Sequence, residues 1–145
     1  MSSFPLSVKA TLDSTIKALA EANGWLYFDQ ASAYLENDTV VSEQPALSAD
    51  LLHLSEDPRD PFYRVQFEVG VKTSNDAAQY ESVLMASAVQ SRFAVGVALP
   101  VADFDFPATL VGELVIADVG SIPAAYDRTA GFRPIHVNAK AYRFG

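Results

Sequence analysis

The chain has 145 residues, a formal charge of −8, half of its residues hydrophobic and 19% charged. That length suits one domain burying roughly 70% of its unfolded surface, and the apolar share excludes a disordered chain. The sequence holds no cysteine, which excludes disulfides, thiolate zinc sites and cysteine nucleophiles and fits a reducing compartment.

The first segment reads as a helix from Ser7 to Asn23, because Val8, Leu12, Ile16 and Leu19 recur at the spacing of one helical stripe. Ser7 is the expected N-cap and Gly24 the stop. "WLYFDQ" then reads as a short strand. Residues Ala31 to Ala49 form a long acidic loop, with or without a short edge strand, whose only apolar interest is Val40 and Val41, and of the kind that carries contacts or motion. "ADLLHLSED" (Ala49–Asp57) is a strand ended by the turn "DPRDP".

A strand follows in which Tyr63, Val65, Phe67, Val69 and Val71 share one face, and Arg64, Gln66, Glu68, Gly70 and Lys72 the other. Ser74, Asn75 and Asp76 suit a helix N-terminus. The helix runs to Phe93 or Val95, with Tyr80, Val83, Leu84 and Ala88 as its apolar stripe. "ALPVADFDFPA" reads as a loop between prolines. "TLVGELVIADV" and "FRPIHVNAKAYRF" are two closing strands, and in the second Ile135, Val137, Ala139 and Ala141 share a face. The expectation is one α+β domain over residues 1–145, of order α-β-β-β-α-β-β. Its antiparallel or mixed β-sheet has two helices packed on one face.

No run approaches the roughly 18 apolar residues that a membrane span needs. "MSSFPLSVKATLDST" lacks the basic-then-apolar pattern of a secretory signal, so a soluble protein made in the cytoplasm is expected. Up to Asp127 six basic residues face eighteen acidic ones, whereas Arg128 to the end holds four basic and no acidic residues. The acidic body argues against wrapping nucleic acid. Its uneven charge suits a head-to-tail contact between copies, although plain solvated charge explains the same numbers.

The search for chemistry is mostly negative. His53 and His136 stand singly in expected strands, a pattern of surface residues more than ligands. Asp103 and Asp105 lack the glycine and further ligands of a calcium loop. Glu56, Asp57 and Asp60 could be acid–base partners, but a solvated turn at a subunit contact explains them better. No phosphate loop and no activated serine is recognisable. Trp25, Tyr27, Phe28, Tyr63 and Phe67 lack the basic groove of a stacking platform and read as core.

Several stretches carry a family likeness: the helix ending in "NGWLYF", the acidic loop, and the hairpin "LLHLSEDPRDPFYRVQFEVGVKT" flowing into "NDAAQYESVLMASAVQ". The closing strands, ending in "IHVNAKAYRF", complete it. From Ser7 to Phe144 the chain resembles the tail-terminator and tail-completion proteins of long-tailed bacteriophages. The resemblance implies a mixed sheet with helices against it and a ring, usually a hexamer, that caps the tail tube and stops its polymerisation. Implied partners are further copies of the chain, the tail tube protein, neck or head-completion proteins, and the sheath protein of a contractile tail. DNA would pass through the lumen without specific binding. The implied location is the tail or neck of the virion, assembled in the host cytoplasm, and no catalytic residue, cofactor or metal is implied.

On this reading the subunit or partner interface includes Glu56, Asp57, Asp60, Arg128, Arg133, Lys140 and Arg143. The basic group would meet acids of the Asp29–Asp60 region in the next copy. The stretches Ala31–Ala49 and Ala98–Ala108 are candidates for tube or neck contacts. The long acidic loop departs from better-known members and leaves the tail type open. Other readings are a neck, head-closure or small tail adaptor protein, and a small-molecule-binding or enzymatic α+β domain. The last requires convergent polar residues on the inner sheet face.

Overall fold

The computed structural model describes residues 3–29, 44–56, 59, 61–73, 79–120 and 132–144. The chain forms helix α1 (Phe4–Ala22), strands β1 (Leu26–Phe28), β2 (Ala46–Glu56) and β3 (Tyr63–Lys72), and helix α2 (Gln79–Arg92). Strands β4 (Ala98–Ala102), β5 (Leu110–Val119) and β6 (Phe132–Arg143) complete it. The fold is α+β. Its six strands form one mixed sheet of order β1-β2-β3-β6-β5-β4, curled into a half-barrel. All neighbours are antiparallel except β1 and β2. Among the described residues no helix is long and apolar enough to cross a membrane.

Helix α1 starts three residues before the expected cap. Ser3 is the N-cap, accepting from the Leu6 amide at 3.4 Å, because Pro5 tolerates the first turn, where no amide is needed. Ser7 is instead buried. The helix stops as the sequence implies: Gly24 adopts φ +73°, and the amides of Gly24 and Trp25 close onto Glu21 and Ala20. The stripe Val8, Leu12 and Ile16 is fully buried.

The β2–β3 hairpin forms as expected, with a bulge between Leu51 and His53. Val65, Phe67, Val69, Val71, Ile135 and Val137 make the apolar face of the two central strands, and both helices contribute to the same core. Each of those six side chains is 2% exposed or less.

Two further expectations fail on the described residues. Ala98–Ala102 is a strand, not part of a loop. Leu99 and Val101 are buried while Ala98 and Pro100 point out, and an edge position tolerates a proline with no amide to donate. The element order therefore gains a strand after the second helix. Helix α2 also turns the other way. Ser82, Met85, Ala86 and Val89 are buried, whereas Tyr80, Val83 and Leu84 are exposed. The inward stripe continues beyond the helix into Phe93, whose ring meets Phe67 edge-on at 5.3 Å. Small Ser82 and Ala86 let the helix approach the sheet. The acidic loop before Pro45 and the expected cap residues Ser74–Asp76 lie outside the described residues.

Candidate interaction surface

Helix α1 is fastened to both margins of the sheet by side chains that bond to backbone. On one side Lys9 donates to the carbonyls of Asp29 and Ala49, at 2.8 and 3.2 Å, and to the Asp13 carboxylate at 2.7 Å. Tyr27 of β1 donates its hydroxyl to the same Asp13 oxygen at 2.7 Å. Burial, followed by that hydrogen bond and the nearby carboxylates, holds the Tyr27 phenol far above its ordinary pKa. On the other side Thr11 Oγ1 accepts from the Ala102 amide at 3.2 Å, and Ser7 Oγ accepts from the Phe104 amide at 3.0 Å.

These last two bonds place the β4–β5 turn. Asp103 is 5% exposed, and its Oδ2 accepts from the amides of Asp105 and Phe106 at 3.1 and 3.0 Å. The turn closes through Asp103 N to Thr109 O and Thr109 N to Phe106 O, both 2.9 Å. Asp103 thus caps the turn through Oδ2, while Asp105 is exposed on it. Among the described residues no three His, Asp or Glu side chains converge as a metal site requires.

What the turn displays is apolar. Phe104 is 50% exposed, Phe106 65% and Leu110 53%, and beside them Phe144 is 54% and Leu6 43% exposed. The five belong to one end of the half-barrel. Gly112 lies opposite Arg143, the Phe144 amide donates to Val111 O at 2.9 Å, and α1 begins where Phe4 stacks on Tyr63 at 5.2 Å. Rotationally free hydrophobic side chains at a loop tip are ordinary, but here the backbone beneath them is fixed by hydrogen bonds to a helix.

The second exposed apolar surface is the outward stripe of α2, Tyr80, Val83 and Leu84. β3 runs from the apolar tip toward Lys72, and α2 returns along it to bring Phe93 against Phe67. The stripe therefore lies toward the opposite end. Sequence periodicity marked these three residues correctly as a stripe and assigned it to the wrong side.

The remaining interface candidates are dispersed. Glu56 ends β2, exposed. Lys140 places its ammonium 4.9 Å from the centre of the Phe62 ring, which Arg64 also faces at 5.4 Å. Arg64 and Lys140 are directly opposed across β3 and β6, a like-charge pair tempered by the shared aromatic face. Arg143 is exposed at the end of β6, and Arg133 lies opposite Val71 at its start. Asp57, Asp60 and Arg128 lie outside the described residues. Of the histidines, His53 is exposed, and His136 has its Nε2 3.5 Å from Glu68.

Sequence reasoning named the stretch Ala98–Ala108 but not its aromatic tip. The signal was present as "DFDF", two phenylalanines alternating with acids, which reads as a loop unless the turn-capping role of the first aspartate is recognised. No family model matches the chain, and no curated protein matches it.

Proposed function

We propose that this protein is a structural subunit of a bacteriophage tail, forming a ring, usually of six copies, that caps the tail tube and ends its polymerisation. Both helices lie on the concave face of the sheet in this reading, and the convex face with Arg64, Lys140 and Glu68 is left for contact. The observation that carries the proposal is the pair of unlike exposed apolar surfaces, the fixed aromatic tip and the α2 stripe, toward opposite ends of one small domain. A subunit that joins a closed ring and also meets a different protein needs at least two unlike surfaces.

Further support comes from the resemblance drawn from "NGWLYF", the Pro-bounded hairpin and the C-terminal strand. The partners in this reading are copies of the chain, the tube protein, a neck or head-completion protein and, in a contractile tail, the sheath. The runner-up is a neck or head-closure adaptor, which shares the fold and differs in what it touches.

The test is tube length. Purified tube protein polymerised with this protein added should give short tubes with a ring at one end by electron microscopy, and unlimited tubes without it. Tubes of equal length in both mixtures would refute the terminator reading. Lys140→Glu should weaken ring closure while leaving the circular dichroism spectrum unchanged.

A further inference from the structure

We infer that the free protein pairs with a second copy of itself through the aromatic tip, the two tips related by a twofold axis. Three half-exposed phenylalanines and two leucines present on the order of 500 Å² of apolar surface at one end. A standard interface covers about 800 Å² per partner, of which about 57% is apolar, so the apolar part alone is about the area offered here. The α2 stripe, with three residues, offers a smaller area. A tip therefore matches another tip better than it matches the helix, and a surface that meets its own copy forms the commonest symmetric contact.

The charges at the tip are arranged to suit this pairing. Asp105 is exposed on the β4–β5 turn, and Arg143 is exposed at the end of β6, on the other side of β5. They flank Leu110 from opposite sides. A twofold axis through the patch, lying across the line that joins them, brings Asp105 of each copy to Arg143 of the other. Charge then selects the register while the apolar groups supply the affinity. The turn is already held by Asp103, Ser7 and Thr11, so little backbone order has to be created on contact. This inference does not depend on the tail reading, although with it the pair would shield the tip until tube or neck displaces one copy.

The experiment is sedimentation equilibrium of the untagged chain at about 1 to 100 µM, a range that spans moderate affinities. The wild-type protein should reach twice the 15.7 kDa chain mass, or an even multiple of it if rings also form. Phe106→Asp should weaken that pairing at least a hundredfold, and Leu84→Asp on α2 should leave it intact. Arg143→Glu should weaken it several-fold, and the double variant Asp105→Lys with Arg143→Glu should restore it. Phe106 and Leu84 are mostly exposed, so unchanged melting of each variant shows that folding is not the cause. A wild-type chain that stays monomeric at the highest concentration overturns the inference and reserves the tip for a different protein. So does loss of pairing in Leu84→Asp with Phe106→Asp unaffected, which would move the contact to α2, and so does equal loss in both, which would put a head-to-tail contact of tip on helix in its place. Tube capping is read separately, by tube length. Capping by a protein that never pairs sinks this inference alone, and pairing without capping sinks only the tail reading.

Discussion

Alanine at position 112 tests whether α1 is seated on the sheet as described. Gly112 is buried in β5, between Val101 of β4 and Arg143 of β6. A Cβ added there would overlap the Tyr142 carbonyl oxygen and stand 2.6 and 2.9 Å from the Phe4 ring carbons Cε1 and Cζ. Its backbone is not in the left-handed region, so the penalty is steric. The carbonyl belongs to the β5–β6 ladder and cannot rotate away. The Phe4 ring is 5% exposed and packed on Tyr63, so moving it uncovers apolar surface.

Overpacking typically costs about 1–3 kcal/mol, and partial loss of Phe4 burial adds about 1 kcal/mol. Removing glycine from a strand returns about 0.5–1 kcal/mol. The expected net loss for Gly112→Ala is about 1–3.5 kcal/mol, which for a chain of this length lowers Tm by roughly 2–14 °C. Urea unfolding followed by circular dichroism gives the value from the shift in midpoint at constant slope. In a cycle with Phe4→Ala, the two losses should sum to more than the double variant shows, because one of the overlaps disappears with the ring. A stability within about 0.5 kcal/mol of wild type would falsify this account of the contact between Phe4 and Gly112.

Three further outcomes are expected. Ser48 is fully buried with its Oγ lacking any hydrogen-bond partner, so Ser48→Ala should raise stability by about 1 kcal/mol in the same unfolding assay. Asp103→Ala should cost about 2 kcal/mol and speed amide exchange at Asp105 and Phe106, while Asp103→Asn keeps part of both. Tyr27 has its phenol pKa raised on folding, so its contribution is fully present below the ordinary value of 10.0 and is lost as pH rises above it. Tyr27→Phe should therefore flatten the fall in stability above that pH, and should cost about 1–2 kcal/mol at neutral pH by releasing Asp13.

The period of α1 was legible because every fourth residue from Val8 to Ile16 is large and apolar and nothing competes with it. β3 was legible for a similar reason, its alternation being strict. Helix α2 carries two apolar stripes, and the larger belongs to the outside. Local periodicity cannot choose between them, because the choice is made by Phe67 across the interior and by Phe93 beyond the helix. β4 was hidden by Pro100, which argues against a strand except at a margin, and a margin is a property of the sheet and not of five residues. The aromatic tip was missed because its rigidity comes from Ser7 and Thr11, more than ninety positions away from its residues.

The fastening of α1 to both β1 and β4 has a consequence for how copies can meet. An open sheet normally offers two rows of unpaired amides and carbonyls, on which a foreign strand can grow. Here one border strand is only three residues long. In the other, Pro100 has no amide and that of Ala102 is taken by Thr11. Strand addition, the usual path from open sheets to uncontrolled fibres, is thereby discouraged at both borders. Any contact between copies is thereby left to side-chain surfaces, where shape sets the register.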